Sequence, residues 1–238
     1  MDAGSLLARL AERPEAAAIL LDVDGTLAPI AARPEDAAVP EATRAELGRL
    51  ARRYALVACI SGRPSPDAAC VVGVEGIRYV GEHGLELEPE AEAWAAELAA
   101  FAATVEWPAE AGKRLSLSFH HRAMADEASA IASLSLIAEK AVAEGLRARW
   151  GRKVLEIRPP LEADKGTAVQ RLIAEAGLRR ALYAGDDATD LDAFRALDGL
   201  ELAIRVAVAS EEAPPELAVA ADLVVDGPDA LARLLRRL

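Results

Sequence analysis

Short apolar runs rich in Val, Ile and Leu, each closed by turn residues and followed by helical spacing, recur along this chain and restrict its fold more than any other feature. Ala18 to Val23 is the first and breaks at Gly25; Tyr54 to Ile60 and Ile77 to Val80 follow. After a long interruption Ala181 to Ala184, Leu202 to Val208 and Ala221 to Val225 resume the rhythm. Continuous apolar runs read as strands buried on both faces, the habit of a parallel sheet with helices on each side. Pro40 to Arg53 has Leu47 and Leu50 three apart, Glu41 early and Arg52 and Arg53 late, as the helix macrodipole favours. Asp164 can cap a second helix running through Leu172 and Ile173 to a stop at Gly177, and Pro228 opens a terminal one.

Between Gly84 and Pro160 the pattern changes. Helical stretches at Glu90 to Val105 and Met124 to Gly145 alternate with two strands, Lys113 to Phe119 and Lys153 to Arg158, the first alternating apolar with polar. This predicts a half-exposed antiparallel sheet covered by helices, inserted into the parallel core. The expected organisation is α/β: residues 1–84 and 161–238 form a Rossmann-like core and residues 85–160 an inserted α+β domain. A ligand of such a core belongs beyond the carboxyl ends of its strands.

Composition narrows the partners. With 238 residues, 53% apolar and 28% charged, the chain is that of a folded protein, able to bury roughly 70–75% of its unfolded surface. The apolar runs Ala16 to Leu21 and Leu202 to Ala209 fall far short of the roughly 20 residues that cross a bilayer, so no membrane anchor or export signal is expected. A formal net charge of −12 repels phosphate backbones and excludes nucleic acid as a partner. A small anionic substrate would have to be captured by local cations and backbone amides. Cys59 and Cys70 have no metal-ligand spacing and read as buried free thiols of a cytoplasmic protein. Of the 27 basic residues only Lys113, Lys140, Lys153 and Lys165 are lysines, which marks positions where a compact ammonium is needed.

The segment Leu21-Asp22-Val23-Asp24-Gly25-Thr26-Leu27 sets two carboxylates at the end of the first strand, and extended alternation turns Asp22 and Asp24 the same way. Such a pair repels unless a cation or proton lies between, and Mg²⁺ with oxygen ligands suits it. One Asp could attack phosphorus while the other moves the proton. A polar turn or an acidic calcium loop would share the pattern. Three further features stand where such chemistry needs them. Ser61, with Gly62 and Arg63, ends the second strand with a hydroxyl and amides for phosphate; Lys165 sits at the mouth of a helix; and Gly185-Asp186-Asp187-Ala188-Thr189-Asp190 ends the fourth strand with three acids.

DVDGTL, SGR, Lys165 and GDDATD, in this order, resemble the four motifs of the haloacid dehalogenase superfamily of phosphatases. The resemblance implies Asp22 as nucleophile, Asp24 as acid and base, Ser61, Gly62 and Lys165 as phosphate ligands, and a Mg²⁺ site drawn from Asp22, Asp24, Asp186, Asp187 and Asp190. It also implies that the insert is a cap. Gly81-Glu82-His83-Gly84, the segment Lys113 to Arg122, and Val154 to Pro159 before Lys165-Gly166-Thr167 are similar to trehalose 6-phosphate phosphatases, which implies sugar and phosphate contacts from His83, Lys113, His120, Arg122 and Glu156. The implied protein is a monomeric enzyme acting on a small-molecule sugar phosphate. Alternatives are a phosphatase of sucrose 6-phosphate or mannosyl-3-phosphoglycerate, or a non-catalytic sugar phosphate sensor, which would need neither Asp22 nor Asp24. Two cap positions depart from the pattern: Ala111 stands where a Glu is usual, with Glu110 one place earlier, and His121 replaces a Tyr.

Overall fold

The computed structural model describes residues 3–31, 33–121, 124–151, 153–210 and 213–238. In chain order its elements are α1 (Ala3–Ala11), β1 (Ala18–Leu21), α2 (Glu41–Ala51), β2 (Leu56–Ile60), α3 (Ser65–Val72) and β3 (Arg78–Val80). Then come α4 (Ala95–Ala102), β4 (Leu117–His120), α5 (Glu127–Ala143), β5 (Arg147–Gly151) and β6 (Val154–Arg158). The chain closes with α6 (Lys165–Glu175), β7 (Arg180–Gly185), α7 (Asp190–Ala196), β8 (Leu202–Ala209), α8 (Pro215–Ala220), β9 (Leu223–Asp226) and α9 (Gly227–Leu235). Two compact units result, one of residues 1–84 with 163–238 and one of residues 85–162. Among the described residues no helix is long and apolar enough to cross a membrane.

The first unit is built on a six-stranded sheet in the order β3-β2-β1-β7-β8-β9, every pairing parallel. From β1 the chain steps outward to β2 and β3, then returns to β7 on the other side of β1 and steps outward to β8 and β9. The direction of winding therefore reverses between β1 and β7, and the crevice beyond their carboxyl ends is where a doubly wound sheet binds its ligand. β1 and β7 are buried along their whole length, as their unbroken apolar sequences require. Ile19, Leu21, Leu182, Ile204, Val206 and Val208 join Leu47, Leu50 and Leu231 from the helices in one core.

The second unit has a three-stranded antiparallel sheet, β4-β6-β5. Leu117, Phe119, Leu155 and Ile157 on one face pack with Leu98 and Phe101 of α4 and Leu134 and Ala141 of α5. The sequence predicts two strands here, and β5 is the correction. Its Arg147-Ala148-Arg149-Trp150 is too charged to read as a strand, because it lies at the sheet edge with little of it buried. The strand expected from Lys113 begins at Leu117, and the helix expected from Glu90 is a 3₁₀ turn (Ala91–Trp94) leading into α4. Asp126 caps α5, its side chain accepting from the Ser129 amide at 3.1 Å. Cys59 is buried as expected, whereas Cys70, on α3, is exposed.

Candidate active site

β1 ends at Leu21, and the Asp22 amide still pairs with Ala184 O at 2.9 Å. Beyond it the chain folds back on itself: Leu27 and Ala28 amides both donate to Val23 O at 2.9 Å, and Gly25 takes a φ of +87°. A Cβ on Gly25 would lie 2.1 Å from Asp186 Oδ2, so glycine serves here both the left-handed turn and the close approach of β7's end. Asp186, directly after β7, is brought to Asp22 in this way. Thr26 Oγ1 lies 3.2 Å from Asp22 Oδ2 and 3.1 Å from Asp186 Oδ1, one hydroxyl between two carboxylates.

Lys165 enters from the first turn of α6. That helix is fixed by a capping box in which Asp164 Oδ1 accepts from the Thr167 amide at 2.8 Å and Thr167 Oγ1 accepts from the Asp164 amide at 2.9 Å. Gly166 allows α6 to approach α7 closely, since a Cβ there would meet Asp192 O at 2.6 Å. The buried ammonium donates to Asp22 Oδ1 and to Asp190 Oδ1, each at 2.7 Å. Asp190 also accepts from Tyr183 OH at 2.7 Å and, through Oδ2, from the Asp186 and Asp187 amides at 2.9 and 2.8 Å. Its carboxylate thus fastens Lys165, β7 and the loop after β7 together.

Asp22, Asp186 and Asp190 are all buried and offer oxygen atoms within 4.8 Å of one another. Two of the three carboxylates, Asp22 and Asp190, share the Lys165 ammonium, and the excess negative charge shows at Asp22. Burial pushes the Asp22 carboxyl well above the usual range; Lys165 pulls it down, and Asp190 and Asp186 push it up again. Burial alone would lower the Lys165 ammonium, but the Asp190 and Asp22 carboxylates outweigh this and hold it protonated above its ordinary value. Excess negative charge among oxygen-only donors fits a hard dication, with Asp22 and Asp186 as holders and Asp190, already accepting four hydrogen bonds, as the support.

Two further acids expected at the metal make other contacts. Asp24 accepts both forks of Arg63, Nε to Oδ2 at 2.7 Å and Nη2 to Oδ1 at 2.8 Å. Alternation places Asp22 and Asp24 on one face only while the strand lasts, and it stops at Leu21. Asp187 Oδ1 accepts from the Ala188 amide at 2.6 Å and serves the turn.

Ser61, buried after β2, accepts the Arg63 amide on Oγ at 3.1 Å. This local turn fixes the hydroxyl oxygen while its own proton stays able to donate. His83 packs against the same loop. Its amide donates to Ser61 O at 2.9 Å, and a Cβ on Gly62 would fall 2.6 Å from His83 Nε2. Glu82 and His83 both have positive φ, 48° and 54°, a backbone that non-glycine residues seldom adopt.

In the second unit Lys113 Nζ donates to Ser118 Oγ at 2.7 Å and lies 3.7 Å from Glu156 Oε1 and 3.5 Å from Glu110 Oε2. Arg158 Nε is 3.7 Å from Glu156 Oε2, and His120 Nε2 is 3.1 Å from Glu110 Oε2. Lys113, His120 and Glu156 therefore form one cluster, while Arg122 lies outside the described residues. Glu110 joins it although the sequence puts it one place early. Burial would raise its carboxyl, but His120 and Lys113 bring it below the usual range. Thr26, Tyr183 and Glu110 carry no role in the sequence reading. A Glu three residues before a clustered Lys is the signal that could have found the last; the other two have none.

A family model described as trehalose-phosphatase matches residues 20–113 and 111–229. A trehalose-phosphate phosphatase of Mycobacterium marinum is 34% identical over 243 residues, covering 93% of this chain and 61% of that protein. One from Mycobacterium avium is 32% identical over 243 residues with the same coverage, 93% and 61%. The chain thus spans about three fifths of these curated relatives. Among solved structures, the C-terminal domain of the C. albicans trehalose-6-phosphate phosphatase superposes with a TM-score of 0.77 at 21% identity, over 98% of this chain and 96% of that one. A haloacid dehalogenase-like hydrolase from Bacteroides thetaiotaomicron gives a TM-score of 0.65 at 17% identity, over 92% and 98%. These likenesses identify the fold as the haloacid dehalogenase type, a parallel α/β core with an inserted α+β unit. The family match, which takes in the strand-end acids, Ser61 and Lys165, carries the assignment further: the chain belongs to the trehalose-phosphatase family.

Proposed function

We propose that this chain hydrolyses trehalose 6-phosphate to trehalose and phosphate with the help of Mg²⁺. The observation that carries the reading is the buried contact of Lys165 with Asp22 at the switch point of the sheet, joined to the family match. Asp22 and Asp186 would hold the cation, which when bound would neutralise their charge and that of the phosphoryl oxygens. Lys165, Ser61 and the Gly62 amide bind the phosphoryl group. Asp22 attacks phosphorus and the bond from phosphorus to the sugar oxygen breaks, with Asp24 giving that oxygen its proton. Asp24 then takes a proton from the water that attacks the aspartyl phosphate, releasing phosphate and restoring Asp22. Asp190 and Tyr183 hold Lys165 in place.

Sugar recognition falls to the cluster of Lys113, His120 and Glu156, with Glu110 added, and Arg122 and His83 belong to the same proposal. A polyol needs converging donors and acceptors, which stay unpaired when a smaller substrate enters. Phosphate release measured on trehalose 6-phosphate, sucrose 6-phosphate, mannosyl-3-phosphoglycerate and an aryl phosphate tests the reading. Trehalose 6-phosphate should give the highest kcat/KM, chelation should abolish turnover, and borohydride reduction of quenched enzyme should mark Asp22. A higher kcat/KM on another sugar phosphate overturns the substrate, and a label elsewhere overturns the nucleophile.

A further inference from the structure

Asp24 lies past the end of β1, where the strand ladder no longer holds the chain, and its side chain is 34% exposed. A carboxylate so placed is free to turn about its side-chain bonds unless something holds it, and proton transfer needs it within hydrogen-bond reach of the oxygen it serves. Among the described residues one side chain bonds it: Arg63 grips both oxygens, Nε to Oδ2 at 2.7 Å and Nη2 to Oδ1 at 2.8 Å. That planar fork fixes the plane of the carboxylate as well as its place, which a lysine could not do. It takes one lone pair from each oxygen and leaves others, and the part of Asp24 that stays exposed is the part the fork does not cover. The grip therefore orients the carboxylate without blocking its proton.

Arg63 is itself held along its length. Its amide donates to Ser61 Oγ at 3.1 Å, its carbonyl accepts the Glu82 amide at 2.9 Å, and Nη2 also donates to Pro34 O at 2.9 Å. The residue thus bonds to the loops after β1, β2 and β3, and its side chain is only 14% exposed. A supporting group ordered by its own contacts can hold a reacting group to the tolerance that chemistry needs. We infer that Arg63 is the positioning residue for Asp24: it reaches from the loop that presents Ser61 to the carboxylate, and so sets the distance between the proposed phosphate site and the group that moves the proton. In this role Arg63 touches neither the phosphoryl group nor the sugar and acts only through Asp24. The inference rests on the acid-base reading of Asp24, and its test separates the two.

The test reads kcat/KM on the full chain with Mg²⁺ for wild type, Arg63→Ala, Asp24→Asn and the double variant. For an enzyme that forms a phosphoryl intermediate, this ratio covers the steps up to departure of the leaving oxygen. Para-nitrophenyl phosphate, phenyl phosphate and trehalose 6-phosphate make a rising demand for a proton on that oxygen. Arg63→Ala should lose about 10²-fold on trehalose 6-phosphate, the effect of misplacing a catalytic group by about 1 Å, less on phenyl phosphate and no more than about 3-fold on para-nitrophenyl phosphate. Asp24→Asn should give the same order with larger losses. The double variant should lose no more than about 2-fold beyond Asp24→Asn, because nothing remains for Arg63 to position. Equal losses on all three substrates would make Arg63 a phosphate ligand or a structural brace and would overturn the inference. So would a loss on trehalose 6-phosphate that spares both aryl phosphates alike, the mark of a sugar contact, and so would full additivity with Asp24→Asn. Should Arg63→Ala unfold, Arg63→Lys, which keeps the charge but not the fork, runs the same cycle with the same criteria. Losses in Asp24→Asn that do not follow the leaving group would overturn the acid-base reading and the positioning with it. Losses that do follow it, beside an unaffected Arg63→Ala, would overturn the positioning alone.

Discussion

Lys165 Nζ reaches Asp22 Oδ1 at 2.7 Å across 143 positions of sequence, and the same ammonium holds Asp190 Oδ1 at 2.7 Å. The lysine side chain is 3% exposed and both its carboxylate partners are buried. An arginine there would push its planar fork into one of the carboxylates or into the space of the phosphoryl group. Lys165→Arg should therefore behave almost like Lys165→Ala, each losing about 10²-fold or more in kcat for phosphate release. Retention of most of the wild-type kcat by Lys165→Arg would make the lysine a peripheral charge.

Asp22 ties stability to pH and, on the proposed reading, to Mg²⁺. Its carboxyl is raised in the folded protein, so the folded chain holds the proton more tightly than the unfolded one. Its contribution is fully present below the unfolded carboxylate pKa and is lost as pH rises through the folded value. On that reading Mg²⁺ would compete with that proton and relieve the repulsion once it has gone. The rise in Tm on adding Mg²⁺ should be several degrees near pH 8 and close to zero near pH 5, and Asp22→Asn should flatten the difference. A Tm rise equal at both pH values would remove Asp22 from the cation.

The sheet and the acids at its ends are legible in the sequence because the same residues answer to local rules. An apolar run such as Ala181 to Ala184 makes a strand wherever it lies, and Asp164 caps α6 through Thr167 only three residues away. What is lost depends on partners far along the chain. β5 is a strand because β6 offers it a ladder, not because Arg147-Ala148-Arg149-Trp150 favours one. Asp24 looks like a companion of Asp22 until Arg63, 39 positions later, claims it. Thr26 and Tyr183 bear no charge; the place of Thr26 between Asp22 and Asp186 appears only when β1 and β7 lie side by side, and Tyr183 meets Asp190 only through the turn that follows β7.

Glu110 gives the clearest test of the sugar-reading role proposed for the cluster. Its amide donates to Ser118 O at 2.8 Å, which fixes it beside β4, and its carboxylate lies between Lys113 and His120. Replacing it with Gln keeps the shape and removes the charge that faces Lys113 and His120. Glu110→Gln should lower kcat/KM for trehalose 6-phosphate by about 10-fold, with Glu156→Ala at least as damaging, while an aryl phosphate is hydrolysed almost as before. Equal losses on both substrates would assign the cluster to the stability of the inserted unit.

Gly25 separates backbone strain from site geometry. At φ +87° any side chain is strained, by about 1–2 kcal/mol for a left-handed L-residue. Gly199 has nearly the same φ, +81°, but a Cβ there meets nothing within 4 Å, whereas a Cβ on Gly25 would sit 2.1 Å from Asp186 Oδ2. Gly199→Ala should therefore lose about 1–2 kcal/mol of stability with kcat unchanged. Gly25→Ala carries the same strain and must also displace the Asp186 carboxylate, which the reading assigns to the cation. It should lose about 10²-fold or more in kcat, because a shift of about 1 Å in a catalytic group is enough to do so. Its Mg²⁺-induced rise in Tm should fall with the activity. If Gly25→Ala loses stability only to the extent of Gly199→Ala and keeps its kcat, the close approach of Gly25 to Asp186 has no part in the chemistry.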